Sequence, residues 1–124
     1  MKHIWLIDDD ADDREVFGMA LDSIDLETRL MYSQNGEEAL HTATNEAFIR
    51  PDYIFLDLNM PRMNGLSFLK EIRSMRLCEG IPVFIYTTSS RGYDIDQCLA
   101  LGGRLMTKHS SFNALCDDLK RLLS

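Results

Sequence analysis

Apolar residues arrive along this chain in two alternating rhythms. Five short runs, "HIWLI" (3–7), "TRLMYS" (28–33), "DYIFLDL" (52–58), "IPVFIY" (81–86) and "RLMT" (104–107), are mostly branched, aromatic or otherwise apolar. Runs of this length, bounded by polar or turn residues, predict strands, and those at 3–7 and 52–58 read as buried. Between and after them the period lengthens to that of an amphipathic helix. Val16, Phe17, Ala20, Leu21 and Ile24 form one such stripe, and Ala39, Leu40 and Ala43 a second. Leu66, Phe68, Leu69 and Ile72 form a third, and Ile95, Cys98, Leu99 and Leu101 a fourth. Phe112, Leu115, Cys116, Leu119, Leu122 and Leu123 form the last. Asp10 is the expected N-cap of the first helix, with Asp12 and Asp13 in the turn where the helix dipole favours negative charge. Asn35-Gly36 breaks the chain before the second helix, and Gly102-Gly103 closes the fourth.

Strands that alternate with helices over short connections must be parallel, because parallel strands need crossovers. The expected architecture is a doubly wound α/β sandwich around a central five-stranded parallel sheet. The length of 124 residues suits one domain, read here as spanning 1–124 with no output domain. The formal charge of −7 disfavours direct nucleic-acid binding and anionic membrane surfaces, both of which call for basic patches. The four apolar residues after His3 are too few for a signal-peptide core, and no stretch approaches a membrane span. Cys78, Cys98 and Cys116 are too scattered for a disulfide framework or a zinc site, and all three are expected in helical segments as small apolar residues. A reducing cytoplasm is the expected location.

In an open parallel sheet, ligands bind at the carboxyl ends of the strands. Those ends carry Asp8 and Asp9, Asp57, Thr87 and Thr88, and Lys108. Two carboxylates about 4 Å apart in a medium of effective dielectric near 20 repel by roughly 4 kcal/mol. Such a cluster needs a raised pKa or a cation, and an all-oxygen donor set suits Mg2+. Asp10, Asp12 and Asp13 are read as helix-start residues facing solvent. The alternation Asp8-x-Asp10-x-Asp12 has the opening spacing of a calcium loop. The glycine and glutamate such a loop requires are replaced by Asp13 and Met19, which excludes it.

"LIDDD", "DYIFLDLNMPRMNG", "PVFIYTT" and "RLMTKH", in this order and spacing, resemble the receiver domain of bacterial two-component response regulators, with single-domain chemotaxis-type regulators nearest in size. The resemblance covers essentially the whole chain. It implies a flavodoxin-like (βα)5 fold and phosphorylation of one aspartate by a sensor histidine kinase or phosphotransfer protein. By position Asp57 is the implied phosphoacceptor. Asp9, Asp57 and the backbone carbonyl of Asn59 would bind Mg2+, with Asp8 acting mainly through a metal-bound water. Thr87 would hydrogen-bond the phosphoryl group and Lys108 would pair with one of its oxygens. Asn59, Thr88 and Ser89 lie where the family tunes access and acyl-phosphate lifetime. The chain would be no enzyme beyond catalysing its own phosphorylation and dephosphorylation. It would signal through a downstream protein target or a phosphorelay.

Three positions depart from the family pattern, one of them Thr88, where the family favours alanine or glycine. His109 follows the lysine where the family has a cis-proline, and a cis bond without proline costs roughly 3–4 kcal/mol. The expectation is therefore a trans Lys108–His109 bond in a rearranged loop, with the lysine still reaching the site. Leu105 stands where the family carries its switch aromatic. That leaves an alternative function, a receiver-like binding module that has lost the conformational relay. A haloacid-dehalogenase-type phosphatase, mimicked by Asp8-x-Asp10, would give the "NMPRMNG" loop no role.

Overall fold

The computed structural model describes residues 1–88, 92–108 and 111–124. Five strands, β1 (Lys2–Ile7), β2 (Thr28–Ser33), β3 (Tyr53–Leu56), β4 (Val83–Thr87) and β5 (Arg104–Thr107), alternate with five helices. The helices are α1 (Ala11–Ser23), α2 (Gly36–Ala43), α3 (Gly65–Ser74), α4 (Tyr93–Ala100) and α5 (Phe112–Leu123). All strand pairs are parallel, in the order β2-β1-β3-β4-β5. The expected doubly wound architecture is therefore observed.

Alternation along the strands feeds two cores. Trp5, Ile7, Ile54, Leu56, Val83 and Ile85 pack under α2, α3 and α4. Ile4, Leu6, Phe55, Phe84, Tyr86 and Met106 pack under α1 and α5. The caps follow the sequence. Asp10 accepts from the backbone N–H groups of Asp12 and Asp13, and Asn35, Asn64 and Ser111 each accept an N–H bond from the first turn of their helices.

Several boundaries shift, for local reasons. β3 ends at Leu56, before Asp57 and Leu58, where the chain turns into the following loop. β4 begins at Val83 because Ile81 and Pro82 precede the ladder, and it runs on to Thr87. Ile24 lies just past α1 as its C-cap, in extended conformation. Cys78 corrects the helical expectation. It is buried in the turn after α3 with φ 59°, whereas Cys98 does lie in α4 and Cys116 in α5.

The loop from Asp57 to Gly65 is held by backbone. The Gly65 N–H donates to the Leu58 carbonyl (3.1 Å), and the Gly36 N–H at the start of α2 donates to the Met63 carbonyl (2.9 Å). A Cβ on Gly65 would lie 2.3 Å from the Asp57 carbonyl oxygen, closer than any real contact. Glycine here lets α3 start against the residue that ends β3. Gly65→Ala is expected to destabilise the protein by about 1–3 kcal/mol through overpacking against rigid backbone. Urea unfolding measures the loss, and an unchanged midpoint would contradict the close approach.

Candidate functional site

Strand register assembles the site. Ile7 pairs with Leu56 and Leu56 with Ile85, so the residues that follow emerge side by side at one sheet edge. The Asp57 N–H donates to the Ile7 carbonyl (2.9 Å), the Asp8 N–H to the Ser33 carbonyl (3.0 Å), and the Lys108 N–H to the Thr87 carbonyl (2.7 Å). The crossovers from β1 and β3 leave on opposite faces of the sheet, so this edge opens into the crevice where such sheets bind ligands.

Asp8 is fully buried and Asp57 is 6% exposed, while Asp9 faces solvent. Carboxylate oxygens of all three lie within 4.8 Å of one another. Lys108 Nζ donates to Asp8 Oδ2 at 2.9 Å and stands 3.7 Å from Asp57 Oδ1. Its ammonium also lies 5.0 Å from the centre of the Tyr86 ring, within cation–π range. The remaining Asp8 oxygen, Oδ1, accepts from the Asp10 N–H (3.0 Å). Thr87 is buried at the end of β4. With Leu58, Asn59, Gly92, Tyr93, Asp94 and Ile95 it lines an open cavity of about 250 Å³. Thr88 is exposed.

Burial dominates the electrostatics. It pushes the Asp57 pKa up from 3.8 to about 6; Lys108 opposes that shift, Asp8 adds to it, the Asn59 N–H opposes it and Asp9 adds to it. Asp8 is also raised by burial, against the Asp10 N–H and Lys108. Burial alone would lower the Lys108 pKa, but its bonds to Asp13 and Asp8 and the nearby Asp57 outweigh burial and shift it upward. Two carboxylates held above their ordinary range beside an exposed third make a place where added positive charge is favourable. The donor atoms of these three residues are all oxygens, which fits a hard divalent cation. Both oxygens of Asp8 already accept hydrogen bonds, whereas Asp9 faces solvent.

One sequence expectation fails. Asp13 does not simply face solvent at a helix start: its Oδ2 accepts from Lys108 Nζ at 2.9 Å. Helical side chains lean toward the N-terminus, which brings Asp13, in the first turn of α1, back over the end of β1. Asp10 and Asp12 keep the capping role, joined by a 2.9 Å bond from the Asp12 N–H to Asp10 Oδ1. The Tyr86 ring was also missed as a neighbour of Lys108. Ser89, His109 and the Lys108–His109 peptide lie outside the described residues.

The response regulator receiver domain model matches residues 4–120. The chain belongs to the response regulator receiver family. This receiver is 37% identical over 103 residues to the transcriptional regulatory protein CpxR homolog of Haemophilus influenzae, a match covering 82% of this chain and 40% of that protein. It is 35% identical to a protein-glutamate methylesterase/protein-glutamine glutaminase of Treponema pallidum, over 80% of this chain and 24% of that one. The receiver thus spans well under half the length of these curated relatives. Among solved structures, the phosphorylated cyanobacterial phytochrome response regulator RcpA has a TM-score of 0.86 at 29% identity, covering 98% of this chain and 90% of that one. The Mn2+-bound response regulator Rcp1 has a TM-score of 0.83 at 26% identity, with coverage of 98% and 91%. The chemotaxis protein CheY4 of Vibrio cholerae has 0.75 at 26%, with coverage of 98% of both chains. No described helix of the receiver is long and apolar enough to cross a membrane.

The raised Asp57 pKa fixes a sign. The folded receiver holds that proton more tightly than the unfolded chain, so in metal-free buffer this group's contribution lowers stability as pH rises from about 4 to about 6. Asp57→Asn is expected to remove that part of the slope and to stabilise the fold at pH 7 by about 1–3 kcal/mol. Denaturation in EDTA at several pH values reads it, and a variant less stable at pH 7 than the parent would reverse the assignment.

Proposed function

We propose that this receiver accepts a phosphoryl group on Asp57 from a phosphohistidine of a sensor histidine kinase or phosphotransfer protein, in an Mg2+-dependent reaction. The observation that carries the reading is the buried Asp57 carboxylate, 3.7 Å from a lysine ammonium and grouped with two further carboxylates at the sheet edge. An Asp57 oxygen attacks phosphorus, the N–P bond of the donor breaks, and the imidazole nitrogen keeps the electron pair. Phosphoryl transfer gains mostly from placement and charge neutralisation, and this receiver offers both. Asp57 is fixed by β3 and by the Asn59 N–H, and Lys108 meets the negative charge on the phosphoryl oxygens. Thr87, at the neighbouring strand end, offers a hydroxyl to the same group. Asp9, Asp57 and the Asn59 carbonyl would hold Mg2+, with Asp8 reaching it through water; when bound, the ion neutralises phosphoryl charge. Asn59, Thr88 and Ser89 would set access and lifetime. Hydrolysis of the acyl phosphate returns the carboxylate, so the chemistry is confined to the receiver itself.

The receiver would act in the cytoplasm, on a downstream protein target or within a phosphorelay. Its net charge of −7 favours a protein partner over nucleic acid or membrane.

A second reading has its own observation. Leu105 on β5 is an aliphatic side chain, 37% exposed, where a ring would serve as a switch. A module that takes the phosphoryl group without relaying it fits that residue.

Incubation with acetyl phosphate and Mg2+ should add one phosphoryl mass to the intact protein. The gain should be lost in EDTA and in Asp57→Asn. An equal gain in Asp57→Asn would overturn the site. Beryllofluoride with Mg2+ separates the two readings by NMR. Shift changes extending over α4 and β5 are expected for a switching receiver, and changes confined to the sheet edge would favour the non-switching module.

A further inference from the structure

Lys108 leaves the end of β5 and crosses to α1, where two carboxylates hold it. Asp8 Oδ2 and Asp13 Oδ2 each accept from its Nζ at 2.9 Å. An ammonium has three donors, so two are committed. Asp57 Oδ1, at 3.7 Å, lies beyond hydrogen-bond range. Asp13 is itself fixed, because its backbone N–H donates to the N-cap Asp10 (3.1 Å). The two anchors differ in what release would cost. Asp8 is fully buried, and losing its partner would strand a charge out of water. The Asp13 side chain is 42% exposed, so water solvates it as soon as the bond opens.

We propose that Asp13 is a positioning residue for Lys108 that competes with the group on Asp57 for the ammonium, and so sets how readily the phosphorylated state forms. The proposal rests on the reading of Asp57 as phosphoacceptor. In the unmodified receiver the Asp13–Lys108 bond draws the ammonium toward α1. A phosphoryl group on Asp57 needs that ammonium, and the Asp13 bond is the one that yields. Removing the Asp13 carboxylate therefore frees the ammonium and favours the modified state.

The test is the affinity for beryllofluoride in the presence of Mg2+, followed by NMR, in the parent, Asp13→Asn, Asp12→Asn, Lys108→Ala and Asp13→Asn/Lys108→Ala. Asp12 shares the first turn of α1 and the same charge but takes no bond from Lys108, so Asp12→Asn controls for net charge. Asp13→Asn is expected to bind about two- to fivefold more tightly than the parent, the size of one half-exposed ion pair. Asp12→Asn should match the parent, and the Asp13→Asn gain should vanish in the Lys108→Ala background. Equal or weaker binding by Asp13→Asn overturns the proposal, as does an equal gain in Asp12→Asn or a gain that survives without Lys108. A parent that binds beryllofluoride while the variants fall in the wrong order sinks this proposal alone. A parent that takes up neither beryllofluoride nor a phosphoryl mass sinks the Asp57 reading and this one with it.

Discussion

A buried carboxylate is tolerable only if something positive stands beside it, and in this receiver that something is the Lys108 ammonium. Asp8 has no exposure and Asp57 very little. Without Lys108 each would be a charge stranded in a low-dielectric edge, a cost of several kcal/mol. The lysine comes from the far end of the chain, a hundred residues after Asp8. The ion pair therefore ties β5 to β1 across two intervening strands and can form only when the sheet is complete. Site and fold share this constraint, since the cation that steadies the carboxylates also links the two strands.

The sheet decides which residues can share that cation. Parallel register lines up strand ends, and the divergence of the crossovers after β1 and β3 leaves room beside Asp8 and Asp57. The site straddles the sheet. Asp13, Tyr86 and the start of α5 border Lys108 on the α1/α5 side, around a cavity of about 240 Å³. Thr87, Asn59 and the start of α4 line a second cavity on the other.

Much of this was legible in the sequence. The five apolar runs, the helical stripes and the caps at Asp10 and Asn35-Gly36 named the architecture, because buried parallel strands and amphipathic helices leave different periods. Asp8, Asp9, Asp57, Thr87 and Lys108 could be gathered because each lies at the same end of its strand. What could not be read was direction in space. Asp12 and Asp13 are adjacent acids at a helix start, and only the lean of the helix separates the one that meets Lys108 from the one that does not. Cys78 illustrates the same limit. Its neighbours have helical composition, yet the chain has already turned at φ 59° to enter the next strand.

Trp5 is the only tryptophan, and it is wholly buried. Its indole N–H donates to Ser33 Oγ at 3.0 Å, and its ring packs edge-on against Phe68 and tilted against Phe48. It belongs to the layer under α2 and α3, while the ammonium and its two anchors lie toward α1. Tryptophan fluorescence is therefore a sentinel for one half of the molecule: it registers loosening of that packing, while the ring beside the lysine, on the other half, is that of Tyr86.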